Sequence, residues 1–252
     1  MLLAVLGLAF GFTSKKVEDV VCHKINIIIK DSIRHQFLNE EKIENIIRST
    51  DQKVLGYPVS VVNTHELEEY FKGHAYIKSF EAYKTMDGVL HAEVYQREPV
   101  VRIMNSKGQS YYLDRDGNII PLKKDYTAHV IIANGHISES FDPLRGGNIY
   151  QLSRENPNKS KTLFSLVKMA DYIASNDFWN AQIEQIYVHR NGELDIITRV
   201  GAHLIRFGTA VDFDKKLQKL KSLYVNGFSN GSWNDYEIIN LKYKNQIICT
   251  KR

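Results

Sequence analysis

Three stretches of this chain carry residues whose types and spacing could do chemistry. Asp114-Arg115-Asp116-Gly117-Asn118 begins like a calcium loop, with oxygen donors at alternate positions. Such a loop needs Gly at its sixth position and a bidentate Glu at its twelfth, between two helices. Counted from Asp114 those positions hold Ile119 and Asp125, and the flanks read as strands, so the segment is expected to be a turn. His65-Glu66-Leu67-Glu68-Glu69 opens like a zinc-protease helix, but Glu69 stands where the second His is required. Its acids read as the solvated face of a helix. The other histidines stand singly, none at metal spacing from a cysteine. There is no Gly-x-Ser-x-Gly elbow to expose a nucleophile. Asn158-Lys159-Ser160 and Asn230-Gly231-Ser232 match the glycosylation sequon, a tripeptide that chance produces often. No catalytic residue, metal ligand or cofactor-binding residue is assigned.

The third stretch offers a different chemistry, that of main-chain hydrogen bonds. Glu237–Tyr243 and Gln246–Thr250 read as two strands around Lys244-Asn245, with Ile239, Leu241 and Tyr243 on one face and Asn240 and Lys242 on the other. A chain-terminal strand is often a sheet edge, whose unpaired N–H and C=O groups invite an added strand. The same edge could equally be inert, protected by Lys251 and Arg252.

The elements that must position this edge follow from periodicity and turn chemistry. Ile25, Ile27 and Ile29 alternate as in a strand. Asn39 can cap a helix that begins with Glu40 and Glu41, with Leu38 stapling onto Ile43. Asn63 opens a second helix that is expected to bury Leu67, Tyr70 and Phe71. Ile77–Tyr83 and Val89–Gln96 form a hairpin around Asp87-Gly88. Pro99 lacks a ladder donor and keeps Glu98 extended, so Arg97-Glu98-Pro99 reads as a joint that limits hinge motion. Beyond it the chain becomes β-rich: Val100–Met104, Ser110–Leu113, Ile119-Ile120 and His129–Ala133 are expected strands. Phe141 to Asn158, with two prolines and two glycines, reads as loop. Leu163 to Ala174 has helical spacing, and Asn191-Gly192 is the strongest hairpin signal in the chain. His203–Phe207 adds a strand, and Phe213, Leu217, Leu220 and Tyr224 mark one face of a last helix.

Composition narrows the functional classes. Over 252 residues, 43% hydrophobic and 25% charged content suit a globular chain with one large or two small cores. The net charge of +4 is spread and interleaved with acids, which argues against nucleic acid, where a clustered basic stripe is expected. Cys22 and Cys249 lie at the edges of separate predicted domains and read as unpaired thiols. Met1–Phe12 is uncharged and apolar yet shorter than a spanning helix needs. It reads as the outer part of a membrane anchor whose start lies upstream of Met1, although Lys15 and Lys16 fall on the outward side, against the usual charge bias.

The sequence resembles the FtsQ/DivIB family of bacterial cell-division proteins. The resemblance runs from about Ile25 to the C-terminus and is most specific at Gln96–Ile103 around Arg97-Glu98-Pro99, at Tyr111–Pro121 with its Tyr112-Leu113-Asp114-x-x-Gly117 turn, and at Ile239–Tyr243. It implies an α+β fold: an incomplete membrane anchor at 1–16, a POTRA domain (strand-helix-helix-strand-strand) at 17–98, and a β domain with flanking helices at 99–252. The Trp-Pro pair that members often carry near the hairpin is missing here. The resemblance further implies a non-enzymatic divisome protein without cofactor. It would sit in the inner membrane with a single pass, most of its chain extracytoplasmic, at the septum. Its partners would be FtsB and FtsL and other septal proteins, with no small-molecule substrate, and the FtsB component of the FtsB–FtsL pair would be captured by strand addition at the C-terminal edge. Lys242 and Tyr243 match the family's basic-Tyr pair at that strand, while Ile247 and Ile248 are added from edge position alone. The rival expectation is an extracytoplasmic enzyme whose site forms only in three dimensions in the β domain, which a deep polar pocket with converging titratable groups would favour.

Overall fold

The computed structural model describes residues 20–30, 36–51, 53–139, 146–155, 161–228 and 233–252. The expected anchor at 1–16 and both sequons lie outside these residues. The chain divides into two compact units, Met1–Arg97 and Glu98–Arg252.

The first unit runs β1 (Lys24–Ile29), α1 (Glu40–Ser49), α2 (Thr64–Lys72), β2 (Ile77–Lys84) and β3 (Val89–Gln96). Both helices start where expected. Asn39 accepts a hydrogen bond from the Lys42 N–H at 2.9 Å, and Asn63 accepts one from Glu66 at 3.2 Å, which satisfies donors that a helix start leaves free. The sheet order is β1-β3-β2, with β1 parallel and β2 antiparallel to the central β3. Ile43, Ile47, Leu67 and Phe71 from the helices are buried with Leu90, Ala92 and Val94 of β3, and Phe71 stacks on Phe80 at 4.1 Å. Tyr70, expected inside, is 53% exposed and meets Phe71 edge-on instead. It lies on the flank of a helix whose apolar face is only wide enough for Leu67 and Phe71. The Asp87-Gly88 turn needs its glycine: φ is +90°, and a Cβ there would come within 2.5 Å of the Val21 carbonyl.

The second unit holds, among the described residues, a nine-stranded sheet in the order β12-β11-β10-β9-β8-β7-β4-β5-β6. Its strands are β4 (Pro99–Met104), β5 (Ser110–Asp114), β6 (Ile119–Pro121), β7 (Ile131–Gly135), β8 (Ile183–Val188), β9 (Leu194–Thr198), β10 (Leu204–Gly208), β11 (Tyr236–Asn240) and β12 (Ile248–Lys251). The helices are α3 (Ile149–Glu155), α4 (Lys161–Ala174), α5 (Asp177–Gln182) and α6 (Phe213–Ser222), the last continuing into a π-helical turn at Leu223–Gly227. Strand registers align Ile186, Ile196, Ile205 and Ile239 into one row across four strands. All four are fully buried in a single core that also takes Leu163, Leu166 and Ala170 of α4 and Leu217 and Leu220 of α6. Each such isoleucine contributes on the order of 2 kcal/mol by leaving water.

Several segments differ from expectation, α5 and the later start of β12 at Ile248 among them. The stretch read as loop contains α3, whose entry is fixed by Asn148: its side-chain oxygen accepts the Tyr150 N–H at 2.9 Å while Ile149 inserts fully into the core. β11 ends at Asn240 rather than at Tyr243. The Asn240 side chain accepts the Lys242 N–H at 3.0 Å, an Asx turn that bends the chain out of the strand.

Candidate interaction edge

A sheet of this kind has two edges, and they are finished differently. On β6 the outward donors are covered: the Ile119 N–H donates to the Gly147 carbonyl at 2.9 Å, and Pro121 has no N–H to offer. The β2 edge of the first unit is blunted in the same spirit, since the Ala82 N–H donates to the Glu68 carboxylate at 3.0 Å. β12 is finished otherwise. It pairs with β11 antiparallel, Ile239 opposite Cys249 and Asn240 opposite Ile248. The Arg252 N–H donates to the Asp235 carbonyl at 3.1 Å, so by strand alternation Thr250 and Ile248 also turn their main-chain groups toward β11. The main-chain groups of Cys249 and Lys251 therefore face away from β11, on the side where no strand pairs among the described residues.

The predicted residues fall into distinct places around this edge. Ile248 is 43% exposed in β12, and Ile247, just before the strand, packs partly against the core. Tyr243 is 47% exposed in the loop between β11 and β12. Tyr243 helps line a hollow of about 350 Å³ that also carries five lysines and one carboxylate, Asp212. Lys219 of α6 fixes this loop through the carbonyls of Tyr243 and Lys244. Burial against Phe207 lowers the pKa of Lys216, whose ammonium donates to the carbonyls of Phe207 and Thr209 at 3.2 and 2.7 Å.

Lys242 does not share the direction of Tyr243. Its ammonium reaches back across the end of β10 to Glu193, 2.6 Å from one carboxylate oxygen, away from the β12 edge. The lysine beside it holds the Glu193 carboxyl below the usual range. A second, more polar hollow of about 420 Å³ lies on that side, where His189 and Asp195 are paired at 2.7 Å. Both carboxylates there are thus engaged by a cationic or imidazole partner.

Behind the edge a buried aromatic cluster holds the segment that leads into β11. His203 lies with Nδ1 3.3 Å from the Trp233 carbonyl and Nε2 2.7 Å from the Tyr224 hydroxyl. A carbonyl only accepts, so Nδ1 carries the proton and Nε2 accepts from Tyr224. Burial lowers the pKa of His203. Sequence reading missed this residue; its signal was only a lone His at a strand start.

The remaining candidates resolve simply. Asp114 accepts the Asn118 N–H at 2.7 Å and the Asn118 amide at 2.8 Å, a turn that Asn148 braces by donating to the Asp116 carbonyl at 2.7 Å. Among the described residues no group of three or more His, Cys, Asp or Glu is placed to hold a metal ion, and Cys22 and Cys249 are free thiols. Arg97 donates its N–H to the Tyr76 carbonyl at 2.9 Å, Glu98 follows, and Pro99 opens β4.

A three-stranded α+β unit is followed by a helix-backed sheet whose last strand, β12, lies at its edge among the described residues. Residues 20–95 match the model of the POTRA-like domain, and residues 98–250 match the model described as FtsQ/DivIB, C-terminal related. The chain belongs to the FtsQ/DivIB family. That family is one of non-enzymatic cell-division proteins, and membership suggests a scaffold role in division. No match was found among curated proteins. Among the described residues no helix is long and apolar enough to cross a membrane.

Proposed function

We propose that this protein is a non-catalytic assembly factor of the bacterial divisome, anchored in the inner membrane at the septum, that recruits the FtsB–FtsL pair on the extracytoplasmic side. Recruitment proceeds by strand addition to β12. The observation that carries this reading is the contrast between the edges: Gly147 and Pro121 cover the outward side of β6, whereas Cys249 and Lys251 turn their main-chain groups away from β11, and no further strand pairs with β12 among the described residues. Main-chain bonds along the added strand supply affinity, and side chains beside the edge choose the partner. Tyr243 supplies a large apolar face with a polar tip, the residue type that dominates small interfaces. Lys242 is a further contact for an acidic partner group, Ile247 and Ile248 flank the added strand, and Arg97-Glu98-Pro99 limits the hinge between the domains. Capture from membranes with residues 17–252 as bait tests the reading. Recovery of the FtsB–FtsL pair supports it, and recovery of neither protein sinks it.

A further inference from the structure

We propose that the end of the first unit carrying Val21, Tyr57, Val61 and Met86 is a lipid contact, a second attachment that lays this unit on the bilayer surface. The proposal rests on the membrane anchoring in the reading above and adds a role for the folded unit itself.

Separate pieces of chain meet at this end. Val21 bridges antiparallel to Pro58, with Cys22 donating its N–H to the Tyr57 carbonyl and Val59 donating to that of Val20, both at 2.8 Å. The Val61 N–H returns to the Pro58 carbonyl at 3.0 Å, so Val61 stays beside this short ladder. The turn between β2 and β3 closes on it: at Gly88 a Cβ would lie 2.5 Å from the Val21 carbonyl and 3.2 Å from a Val20 methyl group. Met86 belongs to the same turn. Lys84 clamps the end of β2 to the loop, donating to the Val59 and Val62 carbonyls at 2.9 and 2.7 Å.

The side chains here divide by face. Val54, Val59 and Val62 are buried and hold the loop to the core. Val21, Tyr57, Val61 and Met86 are exposed, Met86 at 79%. Single exposed apolar residues need no explanation, whereas several gathered at one end of a small unit mark a contact surface. The charges beside them are mixed. Lys53 lies over the Tyr57 ring at 5.9 Å, Lys84 is committed to carbonyls, and the Asp87 carboxylate accepts from the Thr85 hydroxyl. The contact is therefore apolar in character, with a tyrosine of the kind that sits at the bilayer boundary and lysine stems able to run along it.

What this surface meets follows from where the chain enters it. Val20 opens the ladder, and Thr13–Asp19 alone separates it from the apolar Met1–Phe12. A connection of that length reaches at most about 28 Å. So short a tether holds the unit at roughly millimolar effective concentration at the bilayer, and a patch too small to bind as a free domain is still occupied. The bilayer is the partner that the chain itself delivers to this end.

Spin labels on the full chain in vesicles of phosphatidylethanolamine and phosphatidylglycerol test this. The label sites are Met86→Cys, Val61→Cys and, as control, Tyr95→Cys, an exposed position roughly 20 Å along β3 from the turn. A Cys249→Ser background removes the partly exposed thiol, and Cys22 is buried. Relative to a water-soluble nickel chelate, oxygen concentrates in lipid. The oxygen-to-nickel collision ratio at Met86→Cys and Val61→Cys should exceed that at Tyr95→Cys several-fold. Equal ratios at all three sites, in variants that melt as wild type does, overturn the lipid contact while leaving anchoring standing. Shielding of Met86→Cys and Val61→Cys from both reagents marks a protein contact and overturns it too. Wild type that fails to float with the vesicles overturns anchoring and lipid contact together.

Discussion

Lys219 and Tyr243 are joined across the surface of the second unit: the Lys219 ammonium donates to the Tyr243 carbonyl at 2.9 Å and to that of Lys244 at 3.1 Å. Helix α6 thus grips the loop that displays the Tyr243 ring. Lys219→Met should leave the fold within about 1 kcal/mol of wild type, since an exposed ammonium is worth little to stability. Amide exchange should quicken across residues 241–247, and capture of the FtsB–FtsL pair should weaken. Unchanged exchange there would separate the loop's order from Lys219.

The direction of main-chain groups along β12 makes a position-specific prediction. Cys249→Pro and Lys251→Pro remove donors that face away from β11, so they should block strand addition with little loss of stability. Ile248→Pro breaks the ladder to β11 instead and should lower the melting temperature. If Cys249→Pro melts the protein while Ile248→Pro leaves its stability intact, the assigned alternation is reversed.

Most elements were legible in the sequence because their signals are local. Asn39 and Asn63 cap where their side chains predict, and the Asp87-Gly88 and Asn191-Gly192 turns join the strands they separate. Short helices escaped: α5 has only six residues, though Asn176, which accepts the Trp179 N–H, was a readable cap. The site was less legible than the fold. Alternation alone carries Glu237–Tyr243 forward as one strand, and the Asx turn of Asn240 ends it early. The partner of Lys242 is 49 residues away in sequence, brought near only by strand order, so no periodicity could point to Glu193.

His203 ties stability to pH. Its pKa in the fold lies below the ordinary 6.5, chiefly through burial, with Arg252 nearby acting in the same direction. Below that ordinary value the unfolded chain takes up a proton that the folded chain does not, so stability must fall as pH drops. The contribution is complete above about pH 6.5 and is lost as pH falls toward the folded value, at up to about 1.4 kcal/mol per pH unit. Denaturant unfolding at stepped pH should show this slope for wild type and a flatter one for His203→Gln. Parallel profiles would remove His203 from the acid response.

The central claim is recruitment of the FtsB–FtsL pair at the C-terminal edge, and equilibrium binding by wild type and Tyr243→Ala tests it most directly. Melting temperatures taken alongside separate lost binding from lost fold. Wild type should bind the pair, and folded Tyr243→Ala should bind it more weakly by roughly 2 kcal/mol, the scale of an interface hot spot. Equal binding by wild type, Tyr243→Ala and Cys249→Pro, all folded, would contradict the claim.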